Sequence, residues 1–146
     1  MKTFWLSIAT LGFAASATHA QNLKPAQVPA AVVATFIRVF PQAKAVRWEK
    51  EENRYEAGFA QGGSQLSALI SAAGELEETE TSLAPSALPA PVRQALAKHY
   101  KGLKVSEAAK IVAAKTGAVS YEAEVRENGK SRDILFTADG HEVSKK

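Results

Sequence analysis

Tyr55-Glu56-Ala57-Gly58-Phe59 and Tyr121-Glu122-Ala123-Glu124-Val125 decide how this chain reads. Each opens a segment that alternates apolar and polar residues, as a strand with one buried face does. Each passes through a turn, Gln61-Gly62-Gly63 or Asn128-Gly129, into a second apolar segment. Each then closes on a glycine turn, Ala72-Ala73-Gly74 or Ala138-Asp139-Gly140. The spacing between the copies is 66 residues at both ends. One β-meander is therefore written twice.

Working outward, a helix precedes each meander. Val28-Pro29 opens the first, with Pro29 placed where a missing N–H costs nothing. Val32, Phe36, Val39 and Phe40 form its apolar stripe, and Pro41 ends it. Leu88-Pro89 opens the second, with Val92, Leu96 and Tyr100 as the stripe and Gly102 as the stop. Val46 and Trp48 point inward on the next strand, followed by Tyr55, Ala57 and Phe59. Leu66 to Ser71 makes a third strand. Glu75 to Thr81 makes a fourth, whose glutamates suit an edge. In the second copy Val105 to Ala113, Val119 to Arg126, Ile134 to Thr137 and His141 to Ser144 repeat the order. Asn128-Gly129 is a type I′ hairpin signal, because both residues accept positive φ.

The expected fold is α+β: two tandem α-β-β-β-β repeats, an antiparallel sheet with helices packed on one face and the other face polar and open to water. Residues 28–83 form the first repeat and 84–146 the second, with 84–91 as a proline-rich linker. Residues 21–27 read as a flexible lead-in.

Residues 1–20 read as a signal peptide. Lys2 supplies the basic start, Phe4 to Ala17 an apolar run too short to span a bilayer, and Thr18 and Ala20 the small residues of a cleavage site before Gln21. The expected location is periplasmic or secreted, without stable membrane insertion. There are no cysteines, hence no disulfide, lipid-anchor cysteine or thiolate metal site. Past residue 20 the chain carries 17 Lys+Arg against 15 Asp+Glu, so its pI of about 9.2 overstates its basicity.

Neither His99 nor His141 has a partner at ligand spacing, and no cofactor or metal is expected. No G-x-S-x-G elbow or phosphate loop occurs. The glutamates at polar strand positions read as a solvated face. A paired-carboxylate glycosidase is left open by spacing. The basic residues Lys98, Lys101, Lys104, Lys110 and Lys115 lack interleaved aromatics, so nucleic acid is not the expected partner. Trp48 and Tyr121 are expected in the core, where truncation to Ala costs about 3–5 kcal/mol. What remains is the polar sheet face, with Arg47, Glu49, Arg54, Glu56, Glu122, Glu124 and Arg126 as the candidate protein-binding residues. Glu56 and Glu122 are the equivalent central positions of the two repeats, and reversing both to Lys is expected to leave folding nearly unchanged while weakening capture of the partner, most at low salt. Two rival readings stand beside it. A carrier of a small ligand or cell-wall fragment needs an apolar pocket between sheet and helices; a hydrolase needs convergent titratable groups.

Val28-Pro29 with Val32, Ala45-Val46-Arg47-Trp48-Glu49, Tyr55 to Phe59 and Ala72-Ala73-Gly74-Glu75-Leu76, then Leu88-Pro89 with Val92, Tyr121 to Val125 and Ala138 to Val143, together resemble the bacterial PepSY-like family of β-lactamase-inhibitor-like proteins. The resemblance spans residues 28–143. It implies an exported, non-enzymatic protein with helices backing a sheet, acting as regulator or inhibitor of an envelope enzyme. In the β-lactamase inhibitor proteins compared with this family, the tandem sheet makes a concave surface that grips an enzyme. No inhibitory loop matches, and the first copy departs from the pattern in having Ala73 where the second has Asp139.

Overall fold

The computed structural model describes residues 21–143, of Gln21 the backbone only. The expected signal peptide lies outside them, as does Ser144 of the last expected strand. Eight antiparallel strands form one sheet in strict chain order: β1 (Gln21–Leu23), β2 (Lys44–Glu51), β3 (Arg54–Gln61), β4 (Ser64–Ser71), β5 (Leu76–Leu83), β6 (Lys104–Ala113), β7 (Val119–Glu127) and β8 (Lys130–Thr137). Helix α1 (Ala30–Val39) precedes β2 and α2 (Ala90–His99) precedes β6. Both helices cover the same face, so the protein is α+β with a two-layer core.

The apolar stripes do what their spacing implies. Val32 and Phe36 of α1 bury against Trp48, Ala57, Phe59, Ala68 and Ile70. Val92 and Leu96 of α2 bury against Ala108, Ala123, Val125, Ile134 and Phe136. The first cluster is aromatic: Phe36 meets Trp48 and Phe59 edge-on at centroid distances of 5.1 Å each, and Phe40 lies 4.7 Å from Phe59. The second contains one aromatic ring among its buried members, Phe136, with Tyr100 and Tyr121 packed at its margin.

Several expectations are corrected. The lead-in is ordered: Asn22 pairs with Glu49 and Leu23 with Trp48, and residues Pro25–Gln27 make one 3-10 turn. Pairing satisfies backbone groups that an outermost β2 would leave bare, and Leu23 adds its side chain to the first core. Within residues 84–91 lie a 3-10 turn at Pro85–Ala87 and Leu88, buried at the second core. The glutamate-rich β5 is not an edge. It pairs with β4 on one side and with β6 on the other, from Glu78↔Ala113 to Leu83↔Ala108, and so joins the two halves into one sheet. The expected strand after Asp139-Gly140 is reduced to a single bridge, Phe136↔Glu142. Val46 does not face the helices: a bulge between Lys44 and Arg47, with Ala45 at φ 53°, leaves it 37% exposed.

Two glycine turns hold the helices to the sheet. Gly74 (φ 87°) and Gly140 (φ 86°) lie in the left-handed region. A Cβ on Gly74 would stand 2.8 Å from the Ala31 carbonyl oxygen, and one on Gly140 would stand 2.6 Å from that of Pro91. The carbonyl oxygen of Gly74 also accepts a 2.6 Å hydrogen bond from the Thr35 hydroxyl. Gly63 has a similar φ of 80° but open space around it. Gly74→Ala and Gly140→Ala are therefore expected to lose about 2–3 kcal/mol, against about 1 kcal/mol for Gly63→Ala. Urea denaturation of the three variants reads the difference, and equal midpoints would show that the helix contact costs nothing to disturb.

Candidate functional site

Period two sends the residues between the inward rows to the face without helices. Cross-strand pairing then sets them side by side. Glu49 of β2 pairs with Glu56 of β3, Glu56 with Leu69 of β4, and Leu69 with Glu78 of β5. One row over, Arg47, Gly58, Ser67, Glu80 and Ile111 follow one another from β2 to β6. On the other half, Ala109, Glu122 and Leu135 make an equivalent row, and Glu107, Glu124 and Asp133 the next. The bare face thus carries at least eight carboxylates within a few strands.

These groups are not simply solvated, which corrects the expected open face. Glu49 and Glu80 are 8% exposed and Glu122 is 4% exposed, although both helices of the described residues pack on the opposite face.

Crowding shifts the carboxylates. Burial, with weaker repulsion from Glu56, Glu78, Asp133 and Glu51, pushes Glu80 up to about 8. Burial also pushes Glu56 up to about 7, aided by Glu51 and Glu49 and opposed by the Ser67 hydroxyl hydrogen bond and by Arg54. Glu51 and Glu49 are raised too, each chiefly by burial, with Arg54 and Arg47 respectively opposing. Arg54 is held between Glu51 at 3.5 Å and Glu77 at 3.7 Å. The hollow closed by Glu51, Glu56, Ser67, Leu69, Glu78 and Glu80 measures about 10 Å³, room for roughly one water. This face has no pocket there for a small ligand.

The sequence-based candidates are thus brought onto one sheet but do not share one environment. Glu49, Arg54 and Glu56 gather on β2 and β3, while Arg47 is exposed beside Gly58. Glu122 and Glu124 lie on β7, where the Ser106 hydroxyl donates to the Glu124 carboxylate. Arg126 is exposed near the end of β7. Reversing Glu122 to Lys would bury a cation, so the expected tolerance of charge reversal does not hold for that position. Sequence reasoning missed Glu80 as a member of this face because β5 read as a solvated edge. His141 makes a 2.9 Å contact with Asp139, both exposed, away from the carboxylate rows. Among the described residues no group of three or more His, Asp and Glu is arranged to hold a metal ion, and no helix is long and apolar enough to cross a membrane.

The chain matches no family model and no curated protein. Solved structures do match it. A BLIP-like protein from Bacteroides fragilis superposes with a TM-score of 0.66 at 23% identity, over 81% of this chain and 85% of that one. The fold is BLIP-like. A DUF2874 family protein from Bacteroides uniformis shares this BLIP-like arrangement with a TM-score of 0.71 at 24% identity, over 80% and 86% of the two chains. A candidate periplasmic protein from Bacteroides eggerthii gives a TM-score of 0.71 at 19% identity over the same shares. The likeness is one of fold.

Proposed function

We propose that this chain is an exported, non-enzymatic binding module of PepSY-like kind, built of two tandem repeats at residues 28–83 and 84–146. It acts in the periplasm as regulator or inhibitor of an envelope enzyme. The observation that carries the reading is the helix-free sheet face with Glu49, Glu56, Glu80 and Glu122 crowded on it. The face of an eight-stranded sheet has the size a protein partner needs. Its excess of carboxylates favours a partner that presents a basic segment, because complementary charge orients and speeds encounter. The solved relatives of the fold, a BLIP-like protein and a candidate periplasmic protein among them, support the same class of activity and the same compartment. Glu56 and Glu122, paired with Leu69 and Leu135 in matching register, are proposed as its central positions.

Isosteric replacement tests this better than charge reversal. Glu56→Gln with Glu122→Gln removes the charges while keeping the packing, and the variant is expected to fold. Cross-linking in the native envelope should capture the partner of the wild-type protein and lose most of it in the double variant. The loss should be greatest at low salt, where screening is weakest. Equal capture by the folded double variant would move the interface to the helix side.

A further inference from the structure

Strand β5 joins the two halves of the sheet, and its Glu80 sits among charges of its own sign. Glu80 pairs with Ser67 of β4 and Ile111 of β6, and it is 8% exposed. The charges acting on it, those of Glu56, Glu78, Asp133 and Glu51, are all carboxylates. Among the described residues no hydrogen bond or ion pair reaches its carboxyl group. Arg54 does not supply one, being held by Glu51 at 3.5 Å and Glu77 at 3.7 Å. Buried carboxylates are normally paired, because an unpaired one is costly to take out of water. The apolar neighbours Leu69 and Ile111, each 6% exposed, show what a purely structural side chain at this place would be.

Glu80 borders the hollow of about 10 Å³ that Glu51, Glu56, Ser67, Leu69 and Glu78 close with it. One water-sized group fits there. A primary ammonium has that size and carries three N–H donors, whereas a guanidinium is a wider planar fork. Metal ligation needs oxygens at about 2.0–2.6 Å, and the described carboxylates are not arranged for it. Hydrogen bonds from an ammonium span about 2.7–2.9 Å and suit a looser ring of acceptors. Leu69 in the wall offers apolar ground for a methylene stem. We propose that the hollow seats one lysine ammonium of the basic partner, with Glu80 as its principal acceptor. The proposal rests on the sheet face being the protein-binding face, and narrows its specificity to lysine over arginine. Burial, which pushes Glu80 up to about 8, keeps a proton on it at neutral pH. Seating the ammonium releases that proton to solvent, and the cation takes its place beside the carboxylate.

n-Butylammonium, the lysine side chain by itself, is the probe, titrated into the exported chain at pH 7 and constant ionic strength. NMR of the glutamate carboxyl carbons is expected to show saturable shifts at Glu80 and Glu56. n-Butylguanidinium, the same stem with the wider head, should bind roughly tenfold more weakly, and so should n-butylammonium to Glu80→Gln. Calorimetry in buffers of different ionisation enthalpy should register proton release by the unmodified chain, and less by Glu80→Gln. Glu78→Gln gives the same reading should Glu80→Gln fail to fold. Absence of saturable shifts at Glu80 overturns the inference. Equal binding of the two cations, the same shifts when KCl replaces the amine, or undiminished binding by folded Glu80→Gln overturns it too. If any of these occurs while partner capture still depends on Glu56 and Glu122, the protein-binding face stands and only the lysine seat falls.

Discussion

Raising the pH from about 5 to about 9 is expected to lower the unfolding free energy by about 3–5 kcal/mol. In the unfolded chain the glutamates titrate near 4.5, whereas in the folded protein burial holds Glu56 near 7 and Glu80 near 8. The folded state therefore binds more protons than the unfolded one between those values. Stability linked to these groups is fully present below about 4.5 and is lost as the pH rises through 7 and then 8. Each pKa unit is worth about 1.4 kcal/mol. The two contributions do not simply add, because each carboxylate is part of the other's environment. Against a typical net stability of about 5–15 kcal/mol, the change is large. Urea denaturation across this pH range measures it. Glu80→Gln should flatten the profile, matching the wild type near pH 5 and exceeding it near pH 9. A stability that stayed level or climbed over the same range would show that these carboxylates ionise without penalty. A basic partner seated on the face would offset the same repulsion, so its binding should release protons near neutral pH.

The second large effect is at Trp48. Its side chain is 5% exposed and packs edge-on against Phe36 at 5.1 Å, within the ring cluster that fills the first half of the core. Trp48→Ala removes both the buried area and one wall of that cluster, at an expected cost of about 3–5 kcal/mol. Tyr121, expected from its alternation to behave the same way, lies only partly buried at the margin of the second core. Tyr121→Ala should cost about half as much. Thermal denaturation of the two variants ranks them, and equal losses would mean that the cluster around Phe36 closes over the missing indole.

The residues show why some of this was legible in the sequence and some was not. Tyr55, Ala57 and Phe59, and Tyr121, Ala123 and Val125, reported their inward face correctly because period two is a property of the strand itself. Asn128-Gly129 reported its hairpin because both residues accept positive φ, and both have it, at 49° and 80°. The place of β5 was not legible. Four glutamates between Glu75 and Glu80 read as an exposed edge, whereas pairing to β6 is a long-range outcome that no local pattern encodes. The burial of Glu49, Glu80 and Glu122 was hidden for a related reason: alternation says which face a residue takes, not how closely the side chains of neighbouring strands pack around it. The three-residue β1 is too short to show any period.

The strict order of the sheet, from β1 to β8 without a crossover, has a kinetic consequence. Each strand pairs with the next to leave the chain, so the largest loops to be closed are the two excursions that carry α1 and α2. Closure entropy grows slowly with loop length, but it has to be met before long-range contacts repay it. A meander avoids most of that cost. Assembly can proceed hairpin by hairpin from the N-terminal end, each new strand docking on an edge already formed, with no cysteine in the chain to form a disulfide. For a polypeptide delivered end-first, that order lets the sheet grow as fast as the chain arrives.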